Sequence, residues 1–211
     1  MEQPPRVRMT GQERRAQLLD VGRSVFADLG YEAASIEEIA KRARITKPVV
    51  YEHFGGKEGL YAVVVDREVR RLVDSINQAL EGDHPRVLLE QAALAFLTYI
   101  ENEPEGFKIL VRDSPIASAS GTLASVIGDI ADQVEDIFGQ EFKKRGFDQK
   151  LSPLYSRALV GMVALVGQWW LDVGKPKREA VAAHLVNLAW NGLKDLQPEP
   201  RTISLTEGAR G

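Results

Sequence analysis

"SIEEIAKRARITKPVVYEHFGGKEGL", residues 35–60, places two short helices around a turn. Ser35 followed three positions later by Glu38 forms a capping box, which predicts a helix start. Ile36, Ile39, Ala40 and Ala43 then fall on one apolar stripe of that helix. Thr46 is placed to cap a second helix, with Pro48 in its first turn, where a missing N–H costs nothing. Gly55-Gly56 ends it. The connector "ARIT" is only a few residues long, which is the helix-turn-helix pattern, in which the second helix lies in a major groove of duplex DNA.

The residue types suit that reading. Free N–H groups at a helix start favour phosphate oxygens, and Thr46 and Lys47 stand there. Tyr51 lies four residues after Lys47, so the two share a helix face. Val49 and Val50 supply core contacts or touch thymine methyl groups. Lys57 opens the next helix as a point charge, and Ser35 sits at another helix N-terminus. Lys41, Arg42, Arg44 and Lys47 fall within seven residues that contain no acid. Taken alone, such a run is more often a solvated face than a DNA grip, and the helix-turn-helix around it reverses that weighting. His53 has no partner at metal-ligand spacing, so it reads as structural, and no metal is expected.

The bulk numbers set the frame. The chain has 211 residues, 44% hydrophobic and 27% charged, ample for a packed core and ordinary for a globular protein. Net charge is −3, but residues 1–60 carry ten Lys/Arg against nine Asp/Glu. A local basic cluster of this kind can grip phosphates even when the whole protein is acidic. There is no cysteine, which excludes disulfides and thiolate metal sites and suits a reducing cytoplasm, the expected location. The N-terminus lacks the apolar core of a secretion signal. The longest apolar stretch, Ala158 to Gly167, is flanked by Arg157 and Asp172 and is too short to span a bilayer, so no membrane partner is expected.

Outward from the motif, nearly everything reads as helix. Leu18, Val21, Gly22, Val25 and Leu29 repeat at helical spacing, and Gly30 stands where a C-terminal cap belongs. A long helix runs from about 57 to 80, then "EGDHP" interrupts the chain. Pro85, Pro104 and Pro176 sit where following helices begin. Further helices are expected near 85–102, 104–112, 117–145, 151–174 and 177–196. Residues 1–10 and 197–211 read as tails. The expected fold is all-α: a three-helix helix-turn-helix head over 1–56, a larger helical ligand-binding and dimerisation body over 57–196, and a tail over 197–211.

At this point a resemblance becomes specific. Residues 35–60 resemble the DNA-binding motif of the TetR family of regulators, through Ile39-Ala40, Ala43, Ile45, Thr46, Lys47, Tyr51, His53-Phe54, Lys57-Glu58 and Leu60. The preceding "ERRAQLLDVGRSVFADLGYEAAS" is similar to that family's first helix and its exit. The match covers about residues 12–60; the body agrees only in size and helical content. The resemblance implies that Tyr51 and Lys57 contact phosphates, that Thr46, Lys47, Pro48 and Val49 face the groove, and that His53 and Phe54 support packing. It also implies a homodimer through the last two long helices and a ligand pocket in the body. Arg44 departs from the pattern, since the family often has glycine there; it either shifts the turn or adds a phosphate contact. Pro48 is also uncommon, so base preference does not transfer.

In the body, Phe96, Tyr99, Phe107, Leu110 and Leu123 read as core or as the lining of an apolar cavity. Trp169 and Trp170 point about 100° apart on one helix. One is expected to meet core or pocket and the other a dimer seam, with plain packing of both as the alternative. His184, Asn187 and Asn191 make a polar strip for a pocket or an interface. Arg112-Asp113 reads as a surface ion pair. The remaining acids on helices read as exposed faces. No phosphate-cradling loop, nucleophile elbow or two-histidine metal motif appears, so neither an enzyme nor a cofactor is expected.

The expected function is a dimeric regulator that binds a near-palindromic DNA operator and is released by a hydrophobic or aromatic small molecule, hence a repressor. Two other readings stand beside it. One is a nucleoid-associated or protein-controlled DNA binder without a small ligand. The other is a helical enzyme with a vestigial head.

Overall fold

The computed structural model describes residues 9–82, 84–111, 123–197 and 200, with backbone alone over 123–126. Every regular element among them is helical: α1 (Gly11–Ala33), α2 (Ile36–Ala43), α3 (Lys47–Phe54), α4 (Lys57–Ala79), α5 (Pro85–Asn102), α6 (Pro104–Val111), α7 (Leu123–Arg145), α8 (Ser152–Val173) and α9 (Arg178–Lys194). A single 3-10 turn, Gln149–Leu151, precedes α8. The prolines open α5 and α6 as expected. The expected start of α7 at 117, and the Arg112-Asp113 pair, lie outside the described residues.

Thr10, read from sequence as tail, is the N-cap of α1. Its hydroxyl accepts from the Glu13 N–H, and Glu13 accepts from the Thr10 N–H at 2.7 Å, closing a full capping box. Gly30 does break α1, with φ 78°, but one more turn follows before Ala34.

The chain forms two compact units, Met1–Ala79 with Ala95–Val126, and Leu80–Leu94 with Ile127–Gly211. In the first, α1 packs on α2, α4 and α6, α4 also packs on α6, and α3 lies against α2 and α4. Its core holds Leu18, Val25, Phe26, Ile39, Val50, Leu60, Val64, Leu72, Leu97, Ile100, Phe107 and Leu110. Within it lies a charged residue: Glu68 of α4 is fully buried. The acids of the helices were expected on exposed faces, and Glu68 corrects that. It is stable inside because guanidinium groups and a phenol surround it, as a buried charge requires.

The second unit is bound by an aromatic cluster of α7 and α8, in which Phe142 meets Tyr155 edge-on at 5.3 Å and Phe138 at 5.6 Å. Arg145 at the end of α7 donates to the Leu193 and Lys194 carbonyls at 3.0 and 2.8 Å, satisfying the open C-terminus of α9. Trp170 is buried and its Nε1 donates to the Pro176 carbonyl at 2.7 Å, fixing the turn after α8.

Candidate nucleic-acid interface

The geometry of α2 and α3 follows from the residues at their four ends, Ser35, Arg44, Thr46 and Gly55. Ser35 Oγ accepts from the Glu38 N–H at 3.1 Å. The reciprocal half of the expected capping box is missing, because the Glu38 carboxylate turns to Arg42 instead. Arg44 ends α2 in the left-handed conformation, φ 55° and ψ 47°. Thr46 occupies the N-cap of α3, but its hydroxyl makes no capping bond, so the expected cap is positional only. Gly55 closes α3 with φ 72°.

α3 is then held from below. Val50 is its buried anchor. Arg15 of α1 donates to the His53 carbonyl at 2.8 Å and stacks over the Phe54 ring at 4.4 Å. Gln17 of α1 holds the end of α2 in the same way, reaching the Ala43 carbonyl at 3.4 Å. Gly59 lets α4 start directly beneath α3, since a Cβ there would stand 1.9 Å from the Phe54 carbonyl oxygen. His53 and Phe54 are thus part of the support.

The opposite face is open. Thr46, Lys47, Pro48 and Tyr51 are exposed and Val49 is half-buried; Tyr51 keeps 54% of its surface. Lys41 and Arg44 are exposed and have no ion-pair partner among the described residues. The rest of the basic cluster is not free. Arg42 is shared between Glu38 and Asp28, both at 2.8 Å, and Lys47 is bound to the Glu37 carboxylate. The hydrogen bond from Lys47 holds the Glu37 carboxyl below its usual range, and the one from Arg42 does the same for Glu38.

Lys57 has a different setting from the one its motif position suggests. Its Nζ donates to the Tyr31, Ala34 and Glu32 carbonyls at 2.9, 3.0 and 3.4 Å and lies 4.3 Å from the Tyr31 ring centre. It ties the exit of α1 to the start of α4. Three carbonyls take up all three of its donors. Sequence reasoning missed this because carbonyl acceptors carry no side-chain signal.

The expected pocket residues separate. Phe96, Tyr99, Phe107 and Leu110 are packed in the core of the first unit, with Phe96 edge-on to Phe107 at 5.5 Å. Trp169, Trp170 and Asn187 belong to the second. Trp169 is half exposed, and the exposed Asn187 accepts from Asn191 at 3.0 Å. The Leu123 side chain falls outside the described residues. A groove of about 350 Å³ lies elsewhere, walled by Phe26, Tyr31, Tyr61 and Ile109.

No group of three or more His, Cys, Asp or Glu among the described residues could hold a metal ion. No helix among them is long and apolar enough to cross a membrane.

Comparison with known proteins agrees with this geometry. The family model described as bacterial regulatory proteins, tetR family, matches residues 18–64, and a tetracyclin repressor-like C-terminal domain matches 85–192. The HTH-type transcriptional activator FasR of Mycolicibacterium smegmatis is 31% identical over 190 residues, 88% of this chain and 85% of that protein. The A-factor receptor protein of Streptomyces griseus is 43% identical over 51 residues, 24% of this chain and 18% of that protein. A TetR-like transcriptional regulator from Rhodococcus sp. RHA1 superposes with a TM-score of 0.70 at 26% identity, over 90% of this chain and all of that one, a coverage of 100%.

Proposed function

The chain belongs to the TetR family of DNA-binding transcriptional regulators, a family of regulators rather than enzymes, and from that premise we propose that it binds a near-palindromic operator as a homodimer and is released by a hydrophobic or aromatic small molecule. The observation that carries this reading is the exposed face of α3. Tyr51, Lys47, Pro48 and Thr46 stand exposed there, on a helix fixed from behind by Arg15 and Val50. Thr46, Lys47, Pro48 and Val49 face the groove, Tyr51 takes a phosphate, Ser35 offers a helix start to another, and Arg44 adds a cation. Lys57 works behind them as a brace.

Dimerisation is supported by an unpartnered apolar stripe. Leu154, Leu165 and Trp169 of α8 and Leu188 of α9 are 62, 67, 51 and 65% exposed. Side chains so large are rarely left in water on a monomer at such density. With two-fold symmetry, two heads meet successive major-groove faces about 34–36 Å apart.

Repression is the simplest outcome, since a dimer seated on an operator excludes other proteins. The FasR relative is named as an activator, so activation from the same kind of site is the second reading. Selection of the purified protein against a random duplex library tests the core claim. Recovery of an inverted repeat, bound with steep salt dependence, is expected; recovery of no preferred sequence overturns it.

A further inference from the structure

The first unit contains a charged joint that the DNA-reading face does not use. Glu68, fully buried on α4, faces three guanidinium groups and a phenol. Arg71 Nη1 lies 3.0 Å from Glu68 Oε1, Arg67 Nε 3.6 Å and Arg23 Nη1 3.8 Å. Tyr99 Oη of α5 donates to Glu68 Oε2 at 3.3 Å. Arg23 of α1 is the hub. It also binds Glu103 at 2.6 Å and Glu105 of α6 at 3.3 Å, while Ser24 donates to Glu105 at 3.4 Å. Asp20, one turn earlier on α1, binds Arg67 at 2.7 Å.

The joint closes on α6 with no slack. A Cβ on Gly106 would stand 2.2 Å from Glu68 Oε2 and 2.8 Å from Tyr99 Oη. Only glycine lets α6 approach the carboxylate this closely. α1, gripped here at Arg23, supports α3 at Arg15, eight residues or about 12 Å along the same helix. Small shifts of α6 against Glu68 therefore move the support of α3, because packed interiors do not deform continuously.

We propose that Glu68, Arg23 and Gly106 form a positioning joint by which α6 sets the pose of α1 and hence of the DNA-reading helix α3. The joint touches no DNA. It decides whether α3 is presented in its operator-competent pose. The inference rests on the reading of α3 as the groove helix, so its test begins with the duplex that the wild-type protein recovers from a random library.

Three variants decide it, read by affinity for that duplex alongside thermal unfolding and dimer state. Glu103→Ala/Glu105→Ala strips Arg23 of its partners at the start of α6 and in the residue before it, at the half-exposed rim, raising net charge from −3 to −1. Charge alone would tighten DNA binding. The joint requires the opposite sign, a loss of about tenfold, the size of a typical coupling between linked elements. Gly106→Ala should weaken binding at least as much. Adding Glu68→Asp, which draws the carboxylate back by one methylene, should restore most of the loss.

Equal or tighter operator binding by the folded rim variant overturns the joint, and so does failure of Glu68→Asp to rescue a folded Gly106→Ala protein. If Gly106→Ala does not fold, the rim variant decides alone. Failure of the wild-type protein to recover any sequence overturns the DNA reading itself, which separates the two failures.

Discussion

Two surfaces of this chain are open in opposite ways. The face of α3 presents Thr46, Lys47, Pro48 and Tyr51, with much of the adjacent cationic charge held by Glu37, Glu38 and Asp28. The outer face of α8 and α9 presents Leu154, Leu165, Trp169 and Leu188. The first surface is costly to desolvate and is suited to a partner that brings charge and hydrogen-bond acceptors. The second gains by leaving water and is suited to a permanent partner of like character. Under the proposed function, one surface is for binding and release and the other for assembly. The tryptophan pair makes the same contrast within one helix, since Trp170 is buried and Trp169 is 51% exposed.

Breaking the assembly side should have the largest effects. Trp170→Ala removes a buried ring and its bond to the Pro176 carbonyl, and should cost about 3–5 kcal/mol of folding stability. Trp169→Ala should leave the unfolding of the isolated subunit within about 0.5 kcal/mol of wild type, yet weaken self-association. Chemical denaturation and analytical ultracentrifugation over a concentration series separate the two. Equal effects of both substitutions would mean that the two rings do not serve different faces.

Next in size is Leu165→Asp. An uncompensated charge in an apolar seam should weaken the dimer by about 3 kcal/mol or more, over a hundredfold. The same substitution should leave the fold alone, because Leu165 is 67% exposed. Sedimentation as a monomer at micromolar concentration is the expected result. A dimer of unchanged affinity would show that this stripe is not the seam.

On the reading side the effects are smaller. Tyr51→Ala should lower operator affinity about tenfold, the value of one hydrogen bond to a charged acceptor, and lower it on every sequence alike. Lys57→Ala should behave differently. Because Lys57 braces three carbonyls, its removal should lower thermal stability and operator affinity together, with the salt slope unchanged. A flattened slope with normal stability would return Lys57 to the phosphate role that its motif position implies.

What was legible in the sequence follows from how local the signal is. The helices of residues 36–79 were readable to within a residue or so, because caps, prolines and apolar stripes act over three or four positions. The exposure of Thr46, Lys47, Pro48 and Tyr51 follows from the same local spacing. Where partners come from afar, the reading failed. Glu68 looks like any solvent-facing acid in "VVVDREVRRLVDS", and only α1, α5 and α6, brought in by the fold, make it interior. The ion pairs of Arg42 with Asp28 and of Lys47 with Glu37 were not read, because these acids lie fourteen and ten positions away. The carbonyl contacts of Lys57 were not legible, because backbone oxygens carry no side-chain signal.

The smallest effect concerns a residue of the reading face whose own backbone is strained. Arg44 holds φ 55° without being glycine, so it carries strain at the turn between α2 and α3. Its side chain is exposed, and neither the core nor an ion pair holds it there. Arg44→Gly should therefore raise unfolding stability by about 1 kcal/mol. If the guanidinium takes a phosphate, the same change should weaken operator binding and reduce the magnitude of the salt slope by about one. Arg44→Asn separates the terms, since asparagine tolerates the left-handed conformation but brings no charge. It should give a smaller stability gain with the same reduction of slope. A stabilised Arg44→Gly protein that binds its operator with wild-type affinity and slope would mean that the arginine serves neither the turn nor the DNA.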